Sequence, residues 1–429
     1  MLIYLYSIVN PKKQVYIASF AEVLLVLSVF TKEIGSRRIF GIDFDFIAYP
    51  FAVLYFLFNI KNILLSQSFP RKTYLYLLIT SMLSIFILQI GYIGFLKQIF
   101  PIIVIYSVNL FIVNRHDWRK IFRLYIKFAY LSAIFGIVQV VASLGGIDLL
   151  NLQPGRLDSI AYEPSHYASI LVPALVFTFF NIKHYKLYFS VMLIALILTF
   201  NLTGYIAFLL VVSIAYVNLF YFMISVPVLY YLIFYVFANF NENFNLRIQE
   251  TVGVFRGDVN VLNRTIDANG TTVSLYSNLM VAWNNFIKGN LIGSGLGGHE
   301  ETYYRYYEHS TFKYNYFFGL NAPSAHSLTI RIFSEFGMVG LILYITTLAR
   351  KVILLDNGIF RGISLACLSH FICKSFKLGG YIDYGTPFFF AMLLINFMRY
   401  KQHNQKITQQ QKNARKETTK IPVPILETT

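Results

Sequence analysis

Residues 321–340 read NAPSAHSLTIRIFSEFGMVG and run directly into the apolar LILYITTLA. His326, Arg331 and Glu335 therefore stand close together where a hydrophobic segment begins. A neutral imidazole or a carboxylate can take a proton from a hydroxyl, and a guanidinium matches a phosphate with its planar fork. Pro323 suits the first position of a helix, which places His326 in the first turn of the segment that follows. The positive end of a helix favours an anion and disfavours imidazolium, so His326 is expected to stay neutral. At roughly 100° per residue, Gly337 and Gly340 share the histidine's face and would let a neighbouring helix come close. Arg331 and Glu335 are i and i+4 on nearly the opposite face, a spacing that allows them to pair. The plain alternative is an interfacial histidine beside one structural ion pair. Against it, ionisable groups inside a membrane span are costly and tend to mark function.

A second cluster is PGRLDSIAYEPSHYASILVPAL, residues 154–175. Pro164 again opens an apolar segment, with Glu163 at the cap position, His166 in the first turn and Arg156 in the loop upstream. Glu163 could simply complement a helix N-terminus, and Arg156 could be a solvated charge. The repetition favours function: two segments begin with Pro and carry a nearby His. The third candidate, GNLIGSGLGGHEETYYRYY, spans residues 289–307. Its Gly293, Gly295 and Gly298 satisfy a dinucleotide-binding spacing, but no βαβ unit surrounds them. The expectation is that these glycines let the backbone approach a ligand, with His299 and the following tyrosines lining the site. Arg264, in LNRTIDANG, is a further loop cation. No metal site is expected, because His299, His309 and His326 lack ligand spacing.

The elements that must position these residues are membrane spans. Of the 429 residues 56% are hydrophobic and only 13% charged, against about 25% charged in soluble domains. Apolar runs of span length recur, and they predict an all-α polytopic membrane protein with about twelve spans of ~20 residues. The predicted ranges are 14–31, 46–65, 74–91, 95–114, 121–144, 164–182, 185–201, 203–220, 222–240, 327–348, 358–376 and 383–399. The formal charge of +16 does not argue for nucleic acid, because most of the lysines and arginines punctuate the spans. Cys367 and Cys373 share one apolar segment and read as buried free thiols.

Orientation follows from the basic residues. Lys12 and Lys13, then Lys61, Arg71 and Lys72, then RHDWRK (115–120), KHYK (183–186), and Arg350, Lys351 and Arg361 all fall on one side if the spans number twelve. Both termini are then cytoplasmic. Residues 1–240 carry the first nine spans with a short outer loop at 145–163. Residues 241–326 form a long outer loop containing short helices, 274–288 for instance, and 327–399 hold the last three spans. Residues 400–429 are expected to be a disordered basic cytoplasmic tail. All three clusters then face the same outer compartment.

At these residues the chain resembles the bacterial O-antigen and capsular polysaccharide polymerases of Wzy type, within a superfamily shared with the O-antigen ligases. HSLTIRIFSEFGMVG is similar to the superfamily pattern through His326, Ser327, Gly337 and Gly340, and to its polymerase version through Arg331 and Glu335. GRLDSIAYEPSHYASILVPAL resembles the polymerases' arginine then Glu-Pro-Ser segment, which places Arg156, Glu163 and Ser165. NFIKGNLIGSGLGGHEETYY is similar to the segment near the end of the last large loop, with Asn290 followed directly by Leu291. The arginine–ten residues–glycine motif of some polymerases is not matched, since Tyr167 and Leu275 stand at the glycine positions after Arg156 and Arg264.

The resemblance implies a GT-C-like fold in the bacterial cytoplasmic (inner) membrane and a metal-independent glycosyltransferase needing no cofactor. It further implies a polyprenyl-diphosphate-linked oligosaccharide as donor and acceptor, with one chain transferred en bloc to the next repeat unit. Membrane lipid, and a flippase and chain-length regulator of the same pathway, are the implied partners. Glu163 or His326 would be the base. Arg156, Arg264 and Arg331 are the phosphate candidates, and His166, His299 and Glu335 complete the substrate site. The long outer loop would hold the growing chain. Rival readings are an O-antigen ligase, which shares the His326–Gly340 motif, and a lipid-linked oligosaccharide flippase. A flippase usually carries its charges at mid-membrane in broken, repeated helices.

Overall fold

The computed structural model describes residues 19–30, 45–147, 155–216 and 269–418, except 162, 357 and 384, together with isolated residues between 149 and 262. Every regular element among them is helical. The helices are α1 (Phe20–Phe30), α2 (Asp45–Leu65), α3 (Arg71–Leu88), α4 (Tyr92–Arg115), α5 (Trp118–Leu144), α6 (Pro164–Phe180), α7 (Ile182–Leu198), α8 (Leu202–Tyr216), α9 (Gly270–Ile287), α10 (His299–Tyr306), α11 (Leu328–Lys351), α12 (Ile359–Phe376) and α13 (Thr386–Thr418). A described helix lies on each predicted span except 222–240, which falls almost wholly outside the described residues. Five helices, α3, α4, α5, α11 and α12, are long and apolar enough to cross a membrane, and α1, α6 and α8 are apolar but shorter. This is the make-up of a polytopic membrane protein. Helix α3 turns Leu75, Phe86 and Ile87 outward, a face that suits lipid and would be a liability in water.

Helix α6 is the pivot of the bundle. Its sequence, PSHYASILVPALVFTFF, is apolar nearly all round, and it is buried nearly all round between α7, α8 and α12. Tyr125 of α5 reaches into this core and donates to the Ile170 carbonyl at 2.5 Å. Helix α12 also packs on α13, and α13 on α4. One result matters for the site: the start of α6 and the residues following α12 come together at one end of the bundle.

The described part of the segment expected to be the long loop, from residue 269 on, is a small folded unit rather than a tether. Helix α9 packs along α11. Tyr303 of α10 and Tyr307, its C-cap one turn on, join Val273, Val281 and Phe312 in a separate core, while Tyr304 faces outward. The tyrosines expected to line a ligand site are thus divided between packing and surface.

Three expectations are corrected. The tail from 400 continues α13 as far as Thr418 rather than losing structure, because Gln, Lys, Arg and Glu are good helix formers and the stretch holds no Gly or Pro. Pro323 belongs to a separate 3₁₀ turn, Ala322–Ser324, and His326 precedes the helix, with Ser327 as its N-cap accepting from the Ile330 amide at 3.2 Å. Gly337 does not smooth a helix–helix contact; it breaks α11, with φ 61° and ψ −161°. A side chain there would strike the Leu291 carbonyl oxygen, 2.0 Å from its Cβ. The loop 291–296 docks against this break, Ser294 and Gly295 donating their amides to the freed carbonyls of Ser334 and Glu335 at 2.9 and 2.7 Å. The glycine spacing in this loop therefore serves backbone docking.

Candidate functional site

The Glu163 carboxylate does not cap its own helix. Its Oε2 instead accepts from Lys377 Nζ at 2.9 Å and from Ser165 Oγ at 3.0 Å, with His166 Nε2 3.7 Å away. Lys377 also donates to Ser165 Oγ at 2.8 Å. Both sides of the pair keep some exposure, 35% for Glu163 and 22% for Lys377. Burial alone would raise the Glu163 carboxyl, but the Lys377 ammonium and then His166 outweigh it and bring it down to about 2. An ammonium has three donors. Two of those of Lys377 are spent here.

His326 joins this cluster through the segment after α12. Its carbonyl accepts from the Leu378 amide at 2.8 Å. Gly379 lies so close to the turn that a Cβ there would sit 1.7 Å from the Ser324 carbonyl oxygen, so only glycine permits the contact. Ala325 and His326 are both held at positive φ, 55° and 62°. That is a strained state for residues with side chains, and it persists only where the surroundings impose it. The ring is buried. Burial and then Lys377 push its proton affinity down to about 3, against an opposing pull from Glu163, so the imidazole is neutral, as expected.

The Ser274 hydroxyl of α9 lies 3.2 Å from the Leu320 carbonyl, 3.0 Å from His326 Nδ1 and 2.9 Å from the Asn321 amide nitrogen. Giving its one hydrogen to Leu320 lets it accept from both Asn321 and Nδ1–H. The Leu320 carbonyl also accepts from Asn278 Nδ2 at 3.2 Å, so the hydroxyl is equally able to donate to Nδ1, and both neutral tautomers of His326 fit this network.

The remaining candidates separate. Arg331 and Glu335 form a nearly dry ion pair at 3.1 Å, 3% and 1% exposed. Arg331 also donates to the Gly379 carbonyl and lies 4.4 Å over the Tyr381 ring, whose hydroxyl donates to Glu335 at 2.7 Å. The pair braces α11 against the segment after α12. His299 is buried between two helices: Nδ1 meets Ser334 Oγ of α11 at 2.7 Å, and Nε2 meets Asn278 Oδ1 of α9 at 2.9 Å. Burial and then the Arg331 charge hold it neutral, near 3. It serves as a strut between α9 and α11. Arg156 turns to the C-terminal end of α7, donating to the carbonyls of Thr199 and Phe200 at 3.1 and 3.2 Å. Arg264 lies outside the described residues. No group of three metal-ligating side chains occurs among the described residues.

The structure thus brings Glu163, Ser165, His166 and His326 together, and adds Lys377, which sequence reasoning missed. A signal existed: Lys374 and Lys377 lie at the end of α12 that should face outward, against the trend that puts cations inside. The chain matches no family model, and a search of curated proteins gave no match. Its resemblance to the polymerases rests on the quoted residues.

Proposed function

We propose that the protein is a polysaccharide (O-antigen or capsule) polymerase of the bacterial inner membrane, with about twelve spans in a GT-C-like arrangement and both termini cytoplasmic. It transfers a polyprenyl-diphosphate-linked oligosaccharide en bloc to a hydroxyl of the next lipid-linked repeat unit at the outer face. The observation that carries this reading is the partly exposed Glu163–Lys377 pair beside a neutral His326, at the junction of the residues that resemble polymerases.

The chemistry needs a base and a cation for the departing diphosphate. Lys377 is the cation: it has a donor to spare and is reachable. Glu163 is the base. In the resting state the ammonium keeps it a poor one, at about 2. A diphosphate that draws Lys377 toward itself releases the carboxylate, whose proton affinity then climbs toward its ordinary value of 4.5. The acceptor oxygen attacks the anomeric carbon, its proton passes to Glu163, and the carbon–oxygen bond to the diphosphate breaks with the electron pair leaving on phosphate. His326 holds the 377–379 segment in place.

The test is purified protein in nanodiscs with lipid-linked repeat unit as sole substrate. A ladder of polymer supports polymerase. Product only on addition of a core acceptor means ligase, and translocation without glycosidic bond formation means flippase. A wild-type ladder that survives in both Glu163→Gln and Lys377→Met overturns the residue assignment.

A further inference from the structure

A cavity of about 260 Å³ opens away from the Glu163–Lys377 cluster, between the α3–α4 turn, the end of α9, the glycine loop and α10. Its polar wall is built from Asn284, Asn285 and Asn290, with Lys288, Arg305 and Tyr306 beside them. Three carboxamides offer paired donors and acceptors, the pattern that vicinal hydroxyls match, and Tyr306 supplies an aromatic surface. The volume falls just below the roughly 300–1,000 Å³ of small-molecule sites, room for one sugar residue rather than a chain.

The charge of the wall is one-sided. Arg305 is pinned by the Leu88 and Gln89 carbonyls and is paired with Glu301, which cancels its charge. Lys288 has no such partner among the described residues, nor do the side-chain amides of Asn284 and Asn290. No carboxylate among the described residues lines the cavity. The wall therefore presents one uncompensated positive charge with unspent hydrogen-bonding groups around it.

We infer that this cavity binds a carboxylate-bearing sugar, a uronic acid residue of the saccharide, with Lys288 on the carboxylate and the asparagines on the hydroxyls. The choice of a sugar rests on the polymerase reading, but binding is measured without turnover. The experiment titrates full-length protein in nanodiscs with digalacturonate, neutral digalactose and inorganic phosphate, followed by saturation-transfer NMR or calorimetry. Digalacturonate should bind at least tenfold more tightly than digalactose, and Lys288→Met should weaken it about tenfold, the loss of one charged contact. Asn284→Ala with Asn290→Ala should weaken both sugars. Equal binding of the neutral sugar, complete displacement by equimolar phosphate, or no change in Lys288→Met overturns the assignment. If wild-type protein makes no polymer yet binds digalacturonate through Lys288, the polymerase reading falls and the sugar site stands. If Glu163→Gln stops the ladder while digalacturonate still binds, both stand.

Discussion

Two ion pairs lie near one another in this molecule, and they have opposite characters. Arg331 and Glu335 are one helical turn apart, almost dry, and enclosed by Tyr381 and the Gly379 carbonyl. Glu163 and Lys377 flank different helices, α6 and α12, keep a third and a fifth of their surface, and leave a donor of the ammonium unspent. A closed pair has no capacity left for a substrate, and breaking it leaves a buried charge without a partner. An open pair can exchange its partner for a phosphate oxygen. The residue types alone would rank the arginine pair as the phosphate site; exposure reverses that ranking.

Mutations should separate the two pairs. The largest effect is expected at the closed one: Arg331→Met should cost about 3–5 kcal/mol of stability by stranding Glu335, and replacing both members with apolar residues should restore most of it. Thermal unfolding in detergent checks this, and a lone Arg331→Met of wild-type stability would break the comparison. At the open pair the expected loss is in rate. Lys377→Met and Glu163→Gln should each lower polymer formation about 10²–10³-fold, with a smaller fall in melting temperature than Arg331→Met because the open pair is partly solvated, and the double variant should not recover. His326→Asn should lose less than either, since it acts through the 377–379 segment.

Acid should act next, through the two buried histidines. His299 and His326 have folded-state values near 3 against an ordinary 6.5, so the unfolded chain binds protons that the folded one refuses. Their burial is tolerated above pH 6.5, and stability should fall progressively as the pH drops from there toward 3. Glu163 adds to the same trend, from its ordinary 4.5 down to about 2. Melting temperature should decline by several degrees between pH 7 and pH 5, and less in His299→Gln. Smaller still, Ser274→Ala leaves the buried Nδ1 of His326 without its hydrogen-bond partner and should cost about 1–3 kcal/mol. Arg156→Ala, which removes hydrogen bonds at the end of α7, should cost about 1 kcal/mol and leave polymer length unchanged. A large loss of rate in Arg156→Ala would return that arginine to the phosphate site.

The hydropathy pattern located the helices well because a bilayer demands long apolar runs, and each run is visible without its neighbours. Arg331 and Glu335 could be paired from spacing, because i and i+4 meet on any helix. The co-location of Glu163 and His326 was also readable, since counting spans puts both segments on one face. Other roles could not be read this way. His299 looked available because its position after a glycine run says nothing of Ser334 and Asn278 closing on it from two helices. The glycine run looked like a ligand loop because its actual partner, the break at Gly337, lies on another element.

From sequence alone came the membrane, the helices, the i to i+4 pair and the common face of the two histidine-bearing segments, all of them consequences of local periodicity or of span parity. Tertiary structure alone decided that Lys377, 214 residues from Glu163, is its partner, that Arg156 is spent on a helix end, and that His299 is a strut. Those outcomes depend on how α6, α11 and α12 pack. Packing sets which charges stay wet, and exposure determines which of them a substrate can reach.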